Sequence, residues 1–397
     1  MISLDTVYRA AFTLKGVARK TDLIAAPRLS SACQVFLKTE NLQTTGSFKL
    51  RGAFNKIANL TDDEKARGVI ACSAGNHAQG VAFAASREGI SSLICMPATA
   101  PISKVEGTKH FGAEVCLVPG VYDDAHDRAV ELQKETGRTF IHPFNDPLVI
   151  AGQGTIGLEI LDQLPDVDAV LVPVGGGGLA SGVAFTIKSL RPECQVYGVQ
   201  AAGAAGMAHA LETGRLEGVD SVRTIADGIA VKCPEDLTYE MCSEYLDGVV
   251  TVTEDEICTA ILTLIEREKL IAEGAGSVAV AAVLAGKLDL AGKKVACVIS
   301  GGNIDVTILS RVINRGLISS GRSADLSVWI PDRPGALAGF TAIVAEQGAN
   351  VVSIQHDRNG LDDAIDSCRV RVNLETRDLE HIEQIEKALR ERGYRVG

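Results

Sequence analysis

The chain has 397 residues, of which 46% are hydrophobic, and a formal net charge of −11. This length suits two or three domains with apolar cores. An acidic surface gains nothing from a phosphate backbone or an anionic lipid, so neither nucleic acid nor a membrane is expected as a partner. The N-terminus has no basic region followed by an apolar core, and the apolar windows are too short or too rich in glycine to span a bilayer. We therefore expect a cytoplasmic protein that acts on a small molecule.

Short apolar runs alternate along the chain with segments of helical length. Such alternation predicts an α/β fold with a mainly parallel sheet, or with two such sheets. Ligands in these folds gather at the carboxyl ends of the strands. The runs interpreted as buried strands are 35–37, 69–72, 93–96, 115–118, 169–172, 196–199 and 295–299, with helices expected at 78–88, 123–136 and 179–190.

The ten cysteines are scattered singly, without a C-x-x-C spacing. Most lie inside apolar runs, which is typical of reduced core residues in a reducing compartment. No metal ligand set is predicted from their spacing.

A lysine follows an aromatic residue in the stretch 44–52, where Phe48 and Lys49 come just after a Thr-Gly-Ser turn that can open a helix. An amine in a partly desolvated place loses basicity and can attack a carbonyl. Lys49 is therefore the candidate nucleophile. Taken alone, the stretch fits a solvated helix lysine better than a nucleophile.

Two polar or glycine-rich turns follow predicted strands and open helices. The first runs from Ser73 to His77, and its backbone amides favour a carboxylate or a phosphate, although ordinary helix capping also explains Ser73 and Asn76. The second contains four successive glycines, 175–178, whose bare backbone can close around an anion. This loop is neither a nucleotide P-loop nor a G-x-G-x-x-G dinucleotide site.

A third turn, Ser300-Gly301-Gly302, follows the strand 295–299 and would let a flat ligand approach closely. Together these segments resemble the fold type II family of pyridoxal-phosphate enzymes, and within it the threonine dehydratases, from about residue 21 to residue 315. The resemblance implies a catalytic domain of the tryptophan synthase β type, 1–315, with two open parallel-sheet subdomains. The smaller subdomain, roughly 41–145, would be inserted in the larger one.

The resemblance also implies roles for individual residues. Lys49 would form the Schiff base with pyridoxal 5'-phosphate and later remove the α-proton of the substrate. The expected cofactor-binding residues are Phe48, Lys49, Asn76, Gly175, Gly176, Gly177, Gly178, Leu179, Gly228 and Ser300. The expected substrate-binding residues are Ser47, Ser73, Ala74, Gly75, Asn76 and His77.

The implied reaction converts L-threonine, and also L-serine, to 2-oxobutanoate or pyruvate and ammonia by β-elimination of water. One alternative is a serine racemase-like enzyme. Racemases carry a second serine before the Gly-Asn of the substrate loop, where this chain has Ala74, and their cation ligands map to Gln200 and Gly206, which do not suit a cation. Another alternative is a non-catalytic amino-acid sensor.

Beyond residue 315 the pattern changes to a predicted linker, 316–324, and a βαββαβ unit, 325–397, that resembles an ACT domain. The resemblance implies side-by-side pairing, hence a homodimer or homotetramer, and an amino-acid effector such as isoleucine or valine. A purely structural pairing module is the alternative. The expected effector residues are Gly335, Ala336, Leu337 and Asn350.

Overall fold

The computed structural model describes residues 2–358 and 366–397. The chain divides into two compact units, Met1–Asp305 and Val306–Gly397. Within the described residues, no helix is both long enough and apolar enough to cross a membrane.

The first unit contains ten strands. They are β1 (Leu23–Ala25), β2 (Gln34–Lys38), β3 (Val69–Cys72), β4 (Ser92–Pro97), β5 (Glu114–Val118), β6 (Thr139–Phe140), β7 (Ala169–Pro173), β8 (Gln195–Ala201), β9 (Gly248–Val252) and β10 (Lys294–Val298). Every strand predicted for this unit is present. Strands β1, β6 and β9 were not predicted, because they are very short or mostly half-buried and the sequence shows no continuous buried run there.

These strands form two open sheets, as the α/β prediction requires. The larger sheet has the order β1-β2-β10-β7-β8-β9 and the smaller one β5-β4-β3-β6. All pairings are parallel except that of β1 with β2. Strands β3 and β7 are buried along their whole length, since helices cover both faces of such sheets.

The helices of this unit lie mostly between successive strands. They are α1 (Leu4–Thr13), α2 (Lys49–Ala58), α3 (Asp62–Arg67), α4 (Asn76–Arg87), α5 (Ile102–His110), α6 (Tyr122–Thr136), α7 (Pro147–Gln163), α8 (Gly178–Leu190), α9 (Gly206–Thr213), α10 (Asp236–Tyr245), α11 (Glu254–Thr263) and α12 (Gly274–Leu284). Helices α4 and α8 begin directly after the ligand-suited turns, at Asn76 and Gly178. Their positive amino ends therefore point to the carboxyl ends of β3 and β7.

The second unit has the predicted βαββαβ order, preceded by a helix. Its elements are α13 (Val306–Ser319), β11 (Ser323–Pro331), α14 (Ala336–Glu346), β12 (Asn350–Asp357), β13 (Ser367–Glu375), α15 (Leu379–Glu391) and β14 (Arg395–Val396). The strands form an antiparallel sheet in the order β12-β13-β11-β14. Its core includes Val328, Phe340, Val370 and Ile385, all buried.

Helix and strand extend into residues 316–324, the predicted linker. Residues 316–319 complete α13, and β11 already begins at Ser323. Gly316 is buried within α13. The low helix propensity of glycine and serine is a weak preference that packing overrides.

Candidate active site

A cavity of about 890 Å³ opens in the first unit at the carboxyl ends of the strands. The structure brings to its wall all the residues expected to bind the cofactor, and all but one of those expected to bind the substrate. The lining includes Phe48, Lys49, Ser73, Ala74, Gly75, Asn76, His77, Gly175, Gly176, Gly177, Gly178, Leu179, Gly228 and Ser300.

Ser47 is the exception. Its side chain is buried and does not line the cavity, and its hydroxyl has no hydrogen-bond partner among the described residues. Ser47 pairs with Gly301 in an antiparallel bridge. Phe48, the next residue, has helical backbone angles, and its side chain does line the cavity.

Lys49 is the first residue of α2, and its amine is held within the cavity wall. The Nζ atom donates a 2.7 Å hydrogen bond to the carbonyl oxygen of Pro143 and lies 5.3 Å from the centre of the Phe48 ring. Burial lowers the pKa of Lys49 to about 8, against the opposing attraction of Glu273. About a tenth of the amine is therefore neutral at pH 7 and able to attack a carbonyl.

The segment before Lys49 is fixed to the end of β10. The Phe48 amide donates to the Ser300 carbonyl at 3.0 Å, and the Gly302 amide donates to the Gly46 carbonyl at 2.9 Å. Gly46 has φ of 72°, and a Cβ there would lie 2.3 Å from the side-chain oxygen of Asn303. Only glycine fits this turn, which sets the direction in which α2 starts.

A buried ion network anchors α2 through Arg51 in its first turn. Arg51 is 1% exposed, and its guanidinium lies 2.8 Å from the Glu40 carboxylate and 2.6 Å from the Glu159 carboxylate. Lys38 joins the network at 2.6 Å from Glu159. Burial opposes the charged form of Arg51, yet the two carboxylates raise its pKa overall. The network therefore remains ionised and fixes the helix that carries Lys49.

Asn76, the first residue of α4, lies between two side chains. Its Nδ2 donates to Oε1 of Glu273 at 2.6 Å, while its Oδ1 accepts from Nδ2 of Asn303 at 2.8 Å. Asn303 is held in turn by a 2.9 Å bond to the Thr45 carbonyl. The orientation of the Asn76 amide is thus set from both sides.

Glu273 is a residue of this site that the sequence interpretation missed. It is 4% exposed, lines the cavity and directly precedes α12. Burial and the neighbouring Asp227 raise its pKa to about 7, although the bond from Asn76 opposes the shift. The signal in the sequence was an acidic residue followed by the small residues Gly-Ala-Gly, a pattern that is common in helix starts.

The turn before α4 offers mainly backbone to the cavity. The Ser73 hydroxyl accepts from the Gly75 amide at 3.2 Å, and a Cβ on Gly75 would meet no atom within 4 Å. The His77 Nε2 is engaged with the Ile141 carbonyl at 2.8 Å. Burial and the nearby Lys49 lower the pKa of His77 to about 3, so the imidazole is neutral. It supports the turn rather than supplying a charge.

Packing leaves no room for a side chain at positions in the loop of four glycines, and the loop also suits an anion. A Cβ on Gly176 would lie 2.4 Å from the Phe144 ring, and one on Gly178 would lie 2.8 Å from Phe144. Gly177 has φ of 94°. The first amides of a helix have no acceptor within the helix, so those of Gly178 and Leu179 are available to a bound anion at the positive end of α8.

Two small residues complete the wall. Ser300 is 2% exposed, and its Oγ donates to the Ala275 carbonyl at 3.4 Å. A Cβ on Gly228 would lie 3.0 Å from the Cβ of Ala275 and 3.5 Å from Oε1 of Glu273. Both positions accept a flat group because neither presents a bulky side chain.

These groups fit pyridoxal phosphate. A desolvated amine is available for its aldehyde, helix-start amides are available for its phosphate, and Asn76 and Ser300 provide neutral polar contacts for a ring. The residue pattern alone could not show that the four segments meet in one cavity.

The residues at the positions of the racemase cation ligands, Gln200 and Gly206, make other contacts. The Gln200 amide donates to the Val174 and Ala204 carbonyls at 3.1 and 3.2 Å, and its oxygen accepts from the Ala208 amide at 2.8 Å. A Cβ on Gly206 would lie 2.6 Å from the Lys232 carbonyl oxygen.

In the second unit, the expected effector residues lie at the start of α14 and of β12. Gly335 precedes α14 with φ of 87°, and Ala336 and Leu337 form the first turn of that helix. Asn350 opens β12, where its Nδ2 donates to Glu375 at 3.0 Å.

Comparison with known proteins gives matches over both parts of the chain. The family model described as "Pyridoxal-phosphate dependent enzyme" matches residues 14–301, and the ACT domain model matches residues 324–392. The chain is 53% identical to an L-threonine ammonia-lyase of Thermotoga maritima over 398 residues, which covers 100% of this chain and 99% of that protein.

Solved structures are similar as well. Threonine deaminase isoform 2 from Solanum lycopersicum superposes with a TM-score of 0.75 at 38% identity, covering 78% of this chain and 87% of that one. Maize serine racemase superposes with a TM-score of 0.75 at 32% identity, covering 80% of this chain and 98% of that one.

Proposed function

The chain belongs to the family of pyridoxal-phosphate dependent enzymes, and we propose that it is a threonine ammonia-lyase that converts L-threonine to 2-oxobutanoate and ammonia. Its cofactor is pyridoxal 5'-phosphate. The observation that carries the proposal is the Lys49 amine, with a pKa of about 8, in one cavity with Asn76, the four glycines and Ser300.

The cofactor would be held by residues from all the segments that meet in the cavity. Lys49 would supply the amine that binds it covalently, Phe48 and Gly228 would contact its ring, and the amides of the glycine loop and Leu179 would hold its phosphate. Asn76 and Ser300 would make neutral polar contacts with it. When bound, the cofactor supplies an electron sink for the negative charge that develops at the substrate α-carbon.

The protein side chains position the substrate and move its proton. The turn from Ser73 to His77 receives the substrate carboxylate through backbone amides at the start of α4. The Lys49 amine, once free, removes the α-proton, since a neutral amine with a lowered pKa is matched to that transfer. The β-hydroxyl takes up a proton and leaves as water. The released enamine tautomerises to an imine, and water hydrolyses that imine to the keto acid and ammonia. The same steps convert L-serine to pyruvate.

Glu273 acts on Asn76 and Lys49, and it is not proposed to act on the substrate α-carbon. Its carboxyl accepts from Asn76 and attracts Lys49. A protonated Glu273 would remove one negative charge from beside Asn76 and Lys49, which is compatible with an anionic cofactor and substrate.

A serine racemase-like activity is the second candidate, favoured by the likeness to maize serine racemase. Racemisation requires a second base, on the face of the α-carbon opposite Lys49. Ala74 occupies the position of that base, and its side chain has no group that could return a proton. Lys49 is then the side-chain base at the α-carbon, which favours elimination.

The second unit is proposed to regulate the first. Isoleucine or valine would bind at Gly335, Ala336, Leu337 and Asn350 and would act by favouring one state of the enzyme over another. Pairing of these units would make a homodimer or homotetramer, and a cytoplasmic location suits the free cysteines.

A keto-acid assay tests the proposed activity. The purified protein is supplied with pyridoxal phosphate and L-threonine, L-serine or their D-forms, with and without isoleucine. We expect 2-oxobutanoate from L-threonine. Interconversion of L- and D-serine without keto-acid formation would favour the racemase, and the absence of both reactions would favour a sensor.

A further inference from the structure

Three potential metal-ligating side chains converge at one end of the sheet in the second unit. Asp332 directly follows β11, His356 lies near the end of β12, and Cys368 lies near the start of β13. One ligand atom from each lies within 4.8 Å of the other two. The spacing of these residues in the sequence gives no motif, because only the antiparallel pairing of β11, β12 and β13 brings them together.

The three side chains of this cluster lie close together. His356 Nε2 lies 2.9 Å from Cys368 Sγ, and Cys368 is 1% exposed while His356 and Asp332 are exposed. Ligand atoms around a tetrahedral zinc ion are separated by about 3.5 Å, as bond lengths of roughly 2.0 to 2.3 Å require. A small opening of the His356 and Cys368 side chains therefore makes room for an ion.

We infer that Asp332, His356 and Cys368 form a binding site for a transition-metal dication of the Zn²⁺ class. One thiolate, one imidazole and one carboxylate suit zinc, which takes sulfur, nitrogen and oxygen ligands, and they do not suit Mg²⁺ or Ca²⁺, which prefer oxygen. Three protein ligands leave one position for water. Binding replaces the thiol proton of Cys368, which passes to the solvent, so affinity rises with pH.

Arg358 provides a way to distinguish a metal-binding site from a chance cluster of ligand side chains. Its guanidinium lies 3.1 Å from the Asp332 carboxylate and competes with an ion for that ligand. Removing this cation should strengthen metal binding, whereas removing a ligand should weaken it.

The site is also adjacent to the turn proposed to bind the effector, since Asp332 lies three residues before Gly335. A metal ion there would restrain the start of that turn. This consequence rests on the proposed effector site, whereas metal binding itself does not depend on it.

The test titrates Zn²⁺ into the metal-stripped, full-length protein by calorimetry, with Co²⁺ as a spectroscopic probe of thiolate ligation. The ligand variants are Cys368→Ala and His356→Gln, and the second changes an exposed residue and so leaves the core intact. The matched control is His209→Ala, which removes another exposed histidine that lies 3.6 Å from a carboxylate, that of Glu217.

We expect about one Zn²⁺ per chain in the wild type and in His209→Ala, with a sulfur-to-cobalt charge-transfer band for Co²⁺. Each ligand variant should bind at least about 100-fold more weakly and lose the band, because even residues that only support a metal ligand contribute 10- to 100-fold. Arg358→Gln should bind more tightly than the wild type. Absence of stoichiometric binding by the wild type, or affinities in both ligand variants that equal the wild-type value, would overturn the proposal.

Discussion

The Asn76 side-chain amide donates a 2.6 Å hydrogen bond to the Glu273 carboxyl inside the cavity that holds Lys49. This contact joins the start of α4 to the start of α12, two helices that lie far apart in the sequence. It places a buried acid, Glu273, in the candidate active site. The charge of this acid has measurable consequences.

Replacing Glu273 with glutamine should change how stability depends on pH. The pKa of Glu273 is raised from 4.5 to about 7, so the folded protein retains a proton that the unfolded chain releases. The wild type therefore loses stability as pH rises from about 4.5 to 7, by a total on the order of a few kcal/mol, and the loss is constant above that range.

The measurement compares melting temperatures of Glu273→Gln and wild-type apoprotein across this pH range. The melting temperature of the variant should rise relative to that of the wild type as pH rises, and the difference should be constant above pH 7. A difference that does not vary with pH would show that the carboxyl is ionised throughout.

Cofactor uptake by the apoprotein should follow the ionisation of Lys49. Only the neutral amine attacks an aldehyde, so the rate should rise about tenfold per pH unit below pH 8 and level off above it. The rate is measured by stopped-flow absorbance after mixing with pyridoxal phosphate. A rate that keeps rising to pH 10 would mean an ordinary, solvated lysine.

Gly176→Ala should destabilise the protein and weaken cofactor binding. The added Cβ would lie 2.4 Å from the Phe144 ring, and overpacking of this kind costs about 1–3 kcal/mol. Gly248→Ala is the matched control, because its nearest neighbour would be 3.7 Å away, in the Tyr197 ring. Thermal melting and cofactor titration of both variants provide the comparison, and equal behaviour would contradict the packing described for this loop.

Arg51→Met should be strongly destabilising although Arg51 does not line the cavity. The change leaves the carboxylates of Glu40 and Glu159 without their main partner, and breaking a buried pair costs about 3–5 kcal/mol. Arg128→Met is the control, since Arg128 pairs with Glu131 at the surface. Denaturant unfolding measures both, and similar small losses would mean that the buried network does not hold α2.

The chemistry proposed for the site could be predicted from the sequence because it lies in short segments. The positions of Lys49, Asn76, Gly176 and Ser300 follow from a strand or turn and the residues next to it. Which segments meet is a property of the sheet, and here the resemblance to a family supplied what periodicity could not.

Glu273 and the cluster around Arg51 were missed for a related reason. A charged residue in a sequence is expected at the surface, and only the tertiary structure shows that these side chains are buried and paired. Ser47 was expected at the substrate, yet it pairs with Gly301 and its buried side chain does not line the cavity.

The central claim is that Lys49 is the amine that binds pyridoxal phosphate in a threonine ammonia-lyase. Borohydride reduction of the cofactor-loaded protein, followed by peptide mass mapping, tests it most directly. Formation of 2-oxobutanoate by Lys49→Ala is measured in parallel. The control is Lys65→Ala, which removes a lysine that pairs with Glu88. The account predicts a pyridoxyl mass increase on Lys49 and an activity loss of at least about 1000-fold in Lys49→Ala alone. A label on another lysine, or a fully active Lys49→Ala protein, would contradict it.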